Sequence, residues 1–317
     1  MNIVILDGRA MNPGDLSWDG IRRSGKLTVY AKTEVKDIID RAKDAHIILT
    51  NKTLIDGDTI KHLTKCRYIG VLASGYNVVD IDAAKKHGIV VTNVPNYSTV
   101  TVSQHVFAFI LDIITKVGLH DQHIKQNKWA TSDDFTYYEP PISELYQKKI
   151  GIVGFGNIGK SVAKIANAFE MEVLIYDKGK EEVHPLGQKV SLDTIFKVAD
   201  FITLHLPLKE QTRHIIDRDS FDAMRPEAVL INTARAQLVD KEALLDALDL
   251  GKISWYATDV MEQEPPQIDD PLIKHPKTKI TGHMAWASLE ARARCIDIAT
   301  KNIQAFLGGN PIHQVNK

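Results

Sequence analysis

The chain has 317 residues, 44% of them hydrophobic and 25% charged, with a formal net charge of −1 at neutral pH. That length exceeds what one hydrophobic core usually serves, so two domains are expected, and the small net charge gives no electrostatic case for nucleic acid or an anionic membrane as partner. Cys66 and Cys295, the two cysteines, are far apart and have no neighbouring Cys–His pair, which argues against a disulfide framework or a structural zinc.

The N-terminus, MNIVILDGRAM, has a short apolar run and no basic flank; it reads as the first strand of a cytoplasmic protein rather than as a signal peptide. Up to about residue 96 strands and helices alternate, through Ile3–Leu6, Val35–Ala42, Ile47–Leu49 and Tyr68–Leu72. A helix from Asp80 to His87 closes at Gly88, and Ile89–Val91 is the next strand. Between two of these elements lies Leu72-Ala73-Ser74-Gly75-Tyr76-Asn77, a turn of small residues that either exposes N–H groups to a carboxylate or is an ordinary strand–helix connection. Val94-Pro95-Asn96-Tyr97-Ser98 breaks the pattern ahead of a helix over 101–118. That helix is apolar over most of its circumference, so it is expected to be covered on several sides. The apolar run His105–Leu119, interrupted by Asp112 and Lys116, is too short to cross a bilayer. Residues 120–148, with Trp129, Phe135, Tyr137, Tyr138 and the Pro140-Pro141 pair, show no period and read as an arm docked on a partner.

The stretch KIGIVGFGNIGKSVAKIANAFEMEVLIYD, ending at Asp177, carries the most information. An apolar strand runs into Gly154, Gly156 and Gly159 at the G-x-G-x-x-G spacing. Ile158, Val162, Ile165 and Phe169 then recur on one helical face, and a second strand ends at Asp177, about twenty positions beyond the last glycine. The three glycines answer three needs: a tight turn, close approach of a pyrophosphate, and close helix–strand packing. The helix start suits a diphosphate. Asp177 can accept from both ribose hydroxyls and would repel a 2′-phosphate, which favours NAD over NADP.

Further strands are expected at Phe201–Leu204, Val229–Asn232, Trp255–Thr258 and Lys279–Thr281, with a helix capped by Asp240 that ends at Gly251. The alternation implies a doubly wound parallel sheet over about 97–286. Ligands of such sheets sit beyond the carboxyl ends of the strands, where His205-Leu206-Pro207, Thr233-Ala234-Arg235, Asp259 and His283 fall. A last helix, Leu289–Leu307, is expected to return to the first domain. Arg235 would emerge beside a nicotinamide, where a guanidinium can fork onto a carboxylate; a phosphate-facing or solvated arginine has the same spacing. Glu264 lies in a loop fixed by Pro265-Pro266. A carboxylate bonded to the imidazole of His283 would favour the protonated ring, as a proton donor requires. A lone histidine is more often structural.

VLASGYNVVD (71–80), VPNYST (94–99), GFGNIG (154–159), HLPL (205–208), Asp259 with EQEPP (262–266) and GHMAWAS (282–288) stand in the order seen in the D-2-hydroxyacid dehydrogenases. The chain resembles that family, within it the glycerate dehydrogenase (hydroxypyruvate reductase) branch, over nearly its whole length. The resemblance implies two Rossmann-like doubly wound parallel-sheet domains separated by an active-site cleft: residues 1–96 plus 287–317 for the substrate, flavodoxin-like, and 97–286 for NAD, including a dimerisation helix and arm at about 101–148. It implies a catalytic set of Arg235, Glu264 and His283, and a substrate site formed by Ser74, Gly75, Asn96 and Arg235. It implies NAD contacts from Thr101, Gly154, Phe155, Gly156, Asn157, Ile158, Gly159, Asp177, His205, Pro207, Thr212, Thr233, Ala234, Asp259, His283 and Ala285, with Asp259 on the nicotinamide carboxamide. The implied activity is NADH-dependent reduction of a small 2-oxo acid, hydroxypyruvate first, by a homodimer. D-lactate-type reduction, and an NAD-responsive corepressor-like protein with little turnover, are the alternatives. Two positions depart from the family pattern: Ala236 stands where glycine commonly follows the arginine, and Gly282 where proline commonly precedes the histidine.

Overall fold

The structure, a computed structural model, describes residues 1–179 and 183–317. It falls into two units, Met1–Ser98 with Trp286–Lys317, and Thr99–Ala285. In the first, β1 (Asn2–Ile5), β2 (Lys26–Val29), β3 (Ile47–Thr50), β4 (Tyr68–Val71) and β5 (Val90–Thr92) pair in the order β2-β1-β3-β4-β5, all parallel. β2 gives no apolar signal because it is a largely exposed edge strand. The helix Leu289–Leu307 buries Ala291, Cys295, Ile296, Ala299 and Ile303 against Ile3, Ile5, Ile47, Leu49 and Tyr68 of this sheet.

The order reverses between β1 and β3, the place where such sheets open a crevice. Here it is bridged by one carboxylate. Asp7, just past β1 and buried, accepts from the N–H groups of Asn51 (2.7 Å), Lys52 (2.6 Å) and Thr53 (2.7 Å), and so fixes the loop after β3. Both cysteines are buried; burial pushes the Cys66 thiol up to about 12 and raises Cys295 as well, so neither is a reactive thiolate.

The second unit holds β6 (Lys149–Val153), β7 (Glu172–Tyr176), β8 (Val183–His184), β9 (Gly187–Lys189), β10 (Phe201–Leu204), β11 (Val229–Asn232), β12 (Trp255–Thr258) and β13 (Thr278–Ile280). Their order is β13-β12-β11-β10-β6-β7-β9-β8, parallel except for the β8–β9 pair. Cores lie on both faces of this sheet, which is why its central strands read as unbroken apolar runs.

Two expectations change. The helix foreseen over 101–118 is two helices, Thr99–Thr115 and Val117–Lys125, bent by 51° at Lys116, whose φ is +52°. A left-handed residue interrupts the i→i−4 ladder: Lys116 N–H still reaches Asp112, and the next helix restarts with His120 N–H on the Lys116 carbonyl. Residues 117–125 are therefore helical rather than part of an irregular arm, and none of them is fully buried. His120 ties the arm back, with Nδ1 2.8 Å from the Lys116 carbonyl and Nε2 accepting from Glu139 N–H at 2.9 Å. The second change concerns the helix Asn157–Ala168, whose buried face is Gly159, Val162, Ala163 and Ala166. Phe169 lies outside that face, stacked on Phe107 with ring centroids 5.5 Å apart. Small residues win because the helix backbone packs directly on the glycine turn. No single helix among the described residues is long and apolar enough to cross a membrane.

Candidate active site

In the second unit the sheet order reverses at β6 and β10, and the glycine turn is built there. Gly154 has a φ of +99°, and a Cβ on it would stand 2.7 Å from the His205 carbonyl oxygen at the end of β10. A Cβ on Gly159 would stand 2.3 Å from the Gly154 carbonyl oxygen. Gly156 is different. It caps the helix with no side-chain hydrogen bond, and a Cβ there would meet nothing within 4 Å. The fold itself does not require that glycine, whereas an anion approaching the helix start would. Phe155 is buried in the core and Ile158 packs partly against it. At the end of β7, Asp177 accepts from Gly179 N–H through Oδ2 at 3.0 Å, and its Oδ1 has no partner among the described residues.

Along the same sheet edge, His205 is pushed down to about 3 by burial and so is neutral, with Nε2 3.0 Å from Thr203 Oγ1. The Thr212 hydroxyl donates to the Pro207 carbonyl (2.8 Å) and accepts from Lys209 N–H (2.8 Å), closing the turn after β10. Asn232, the last residue of β11, clamps the next turn: its Oδ1 accepts from Ala234 N–H (3.0 Å) and its Nδ2 donates to the Arg235 carbonyl (2.9 Å). Inside that turn the Thr233 hydroxyl is buried with no partner among the described residues. Such an atom costs about 1–3 kcal/mol unless something bonds it. An unsatisfied hydroxyl and an open space over Gly156 on one sheet edge fit a dinucleotide.

His283 and Glu264 meet. His283 Nδ1 lies 2.6 Å from Glu264 Oε2, while Glu264 Oε1 accepts from Met261 N–H at 3.1 Å. With Nδ1 committed to the carboxylate, Nε2 is the ring atom left for a substrate. His283 has a φ of +53°, an uncommon conformation for a residue other than glycine. Arg235 is exposed at the end of β11, its Nη1 on the Ala234 carbonyl at 2.7 Å. Among the described residues no hydrogen bond or ion pair joins it to Glu264 or His283. Asp259 is 1% exposed and well occupied: Oδ1 accepts from Thr281 Oγ1 (2.6 Å) and Met284 N–H (2.8 Å), and Oδ2 from Ala285 N–H (2.8 Å). Thr101 lies in the first turn of the 99–115 helix and Asn157 begins the 157–168 helix.

Ser74, Gly75 and Asn96 belong to the first unit. There the first three carbonyls after β4 are held: Leu72 by Asn51 Nδ2 (2.6 Å), Ala73 by Val94 N–H (3.0 Å) and Ser74 by Asn93 Nδ2 (2.7 Å). The N–H groups of residues 73–77 donate to no acceptor among the described residues. A turn with its acceptors tied inward and its donors free suits a carboxylate. Asn96, exposed, has a φ of +63°.

Residues 107–285 match the D-isomer specific 2-hydroxyacid dehydrogenase, NAD binding domain. The chain is 39% identical to a hydroxypyruvate reductase of Blautia hydrogenotrophica, over 100% of both chains. The chain belongs to the D-isomer specific 2-hydroxyacid dehydrogenase family. It is an NAD-dependent oxidoreductase acting on CH–OH groups, in the glycerate dehydrogenase and hydroxypyruvate reductase branch. A glycerate dehydrogenase of Methylorubrum extorquens is 38% identical over 87% of each chain. Among solved structures, an acyclic imino acid reductase in complex with NADPH and D-Arg superposes with a TM-score of 0.87 at 30% identity, covering 99% of this chain and 100% of that one.

Both departures of this dehydrogenase from the family pattern are sterically mild. Ala236 opens the short turn Ala236–Leu238 without a positive φ, and a Cβ on Gly282 would meet nothing within 4 Å. Sequence reasoning passed over Asp7, Asn51, Asn93 and Thr281. The signal available was position alone: Asn51, Asn93 and Thr281 each follow the last residue of a strand, and Asp7 lies two residues past the end of β1.

Proposed function

We propose that the protein reduces a small 2-oxo acid with NADH, hydroxypyruvate to D-glycerate first, and runs in reverse on the D-2-hydroxy acid. The observation that carries this reading is the 2.6 Å His283–Glu264 contact on the sheet edge that bears the glycine turn. The full-length similarity to a hydroxypyruvate reductase supports the choice of substrate.

Gly154 to Gly159 and the helix start would hold the diphosphate, Asp177 the adenosine ribose, and Thr233 with its neighbours the nicotinamide end. Bound NADH supplies a hydride to the carbonyl carbon. Arg235 forks onto the substrate carboxylate and draws electron density from the ketone, the N–H groups of Ser74 and Gly75 donate to the remaining lone pairs of that carboxylate, and Asn96 borders the side-chain pocket. His283 donates its Nε2 proton to the oxygen that becomes the hydroxyl, and Glu264 offsets the positive charge of the ring before that transfer. The first unit is thus assigned to substrate and the second to NAD. The two unbridged thiols fit a cytoplasmic enzyme.

A panel of 2-oxo acids assayed with NADH and with NADPH tests this. Hydroxypyruvate should give the highest kcat/KM, and the carboxylate of Asp177 should favour NADH by more than about tenfold, or ~1.4 kcal/mol. Equal use of the two coenzymes would sink the role of Asp177. Coenzyme binding without turnover of any oxo acid would leave an NAD-responsive binding protein instead.

We also assign the surface of residues 117–142 to a second copy of the chain. Phe135 is 89% exposed, Tyr138 58% and Trp129 48%, large aromatic side chains that a partner surface would cover. Sedimentation should return twice the chain mass, and Trp129→Ser with Tyr138→Ser should shift it towards the monomer. A wild-type monomer at micromolar concentration contradicts the assignment.

A further inference from the structure

His105, on the Thr99–Thr115 helix, has a place in the fold that the reaction as described leaves unused. Its Nε2 stands 2.9 Å from Thr281 Oγ1, and the same hydroxyl stands 2.6 Å from Asp259 Oδ1. A hydroxyl has one proton, and the carboxylate can only accept, so that proton points at Asp259. Thr281 Oγ1 must then accept from His105, which requires the hydrogen on Nε2. Burial lowers the pKa of His105 against the pull of Asp259 and keeps the ring neutral, in keeping with that assignment. The edge of Phe109, at 4.7 Å between centroids and 80° between planes, sets the ring's orientation.

The chain His105–Thr281–Asp259 leads to His283. Asp259 holds the segment 281–285 at both ends, by the Thr281 hydroxyl on one side and by the Met284 and Ala285 N–H groups on the other. Between these anchors stand Gly282, with open space around it, and His283, with its left-handed backbone. A non-glycine residue keeps that conformation only where its surroundings over-determine it. Local support comes from the bond of His283 N–H to the Thr281 carbonyl, at 3.1 Å, and from the ring's contact with Glu264.

We propose that His105 is a positioning residue for the proton donor: by fixing Thr281 on Asp259 it holds the segment 281–285 so that His283 faces Glu264. This rests on the reading of His283 as proton donor given above. A histidine that merely fills space beside Thr281 would be replaceable by any ring of similar size.

His105→Phe keeps the bulk and removes the donor, Thr281→Val keeps the shape and removes the hydroxyl, and His105→Gln restores an N–H at similar reach. Misplacing a reacting group from a distance costs up to about a hundredfold in rate. Phe and Val variants should lose roughly 10- to 100-fold in kcat, with the KM for the oxo acid and the NADH affinity from fluorescence titration within about threefold of wild type. The Gln variant should recover most of kcat. Hydrogen exchange, which needs no turnover, should show the Met284 and Ala285 amides opening faster in the Phe and Val variants. A Phe variant with wild-type kcat and wild-type exchange overturns the proposal, as does a Gln variant no better than Phe. Wild-type turnover in His283→Ala, with the exchange pattern as expected, overturns the role of His283 and leaves the anchoring intact.

Discussion

Replacing His283 by alanine lowers kcat by roughly 10²–10⁴-fold, the share that a positioned proton transfer normally contributes. The geometry explains why the loss should appear in kcat. Nδ1 is committed to Glu264 at 2.6 Å, so Nε2 alone faces a substrate. Without it the reduced carbonyl carries its negative charge to water or to nothing. The diphosphate and ribose contacts assigned to the glycine turn and Asp177 do not involve the imidazole, so NADH affinity measured by fluorescence should fall far less than kcat. Glu264→Gln should cost less, because an amide oxygen can still accept from Nδ1 while the compensating charge is gone. A His283→Ala enzyme that keeps more than about a tenth of wild-type kcat removes the residue from the reaction.

The parts of the fold legible in the sequence were those whose pattern has a single cause. Strands β10, β11 and β12 are buried on both faces and follow the apolar runs residue for residue. The helix Leu289–Leu307 stands where it was expected; it begins after Ser288, whose hydroxyl accepts from Ala291 N–H, and ends at Gly308 and the left-handed Gly309. The break at Lys116 was not legible, since a lysine carries no signal for a left-handed backbone and apolar periodicity runs across it. For the same reason β2, an exposed edge strand, left no trace.

The site divides along similar lines. Gly154 and Gly159 were readable because each needs the absence of a Cβ. Asp259 was readable as important, and the structure adds a role: three of its acceptor positions are taken by the loop that bears His283, which it shapes. Such inward bonds depend on which strand ends are neighbours in space. The register of β11 with β12 and of β12 with β13 supplies that information, and a linear sequence does not.

Arg235 offers the second large effect. Its guanidinium is exposed and, among the described residues, bonded only to its own neighbour's carbonyl, so Arg235→Ala should leave the unfolding temperature essentially unchanged. Nothing buried is orphaned by its loss. With substrate present the balance differs, because a planar fork of donors and a carboxylate make a bidentate, charge-assisted pair. Removing one partner of a desolvated charge pair costs about 2–5 kcal/mol, which is roughly 30- to 5,000-fold in kcat/KM. Arg235→Lys should recover only part of this, since an ammonium restores the charge without the fork. Free guanidinium added to the Ala variant should recover some activity in a saturable way. If the Ala variant loses less than about tenfold, the substrate carboxylate is held by the free N–H groups of residues 73–77 alone, and Arg235 is the solvated arginine its exposure in the absence of substrate suggests.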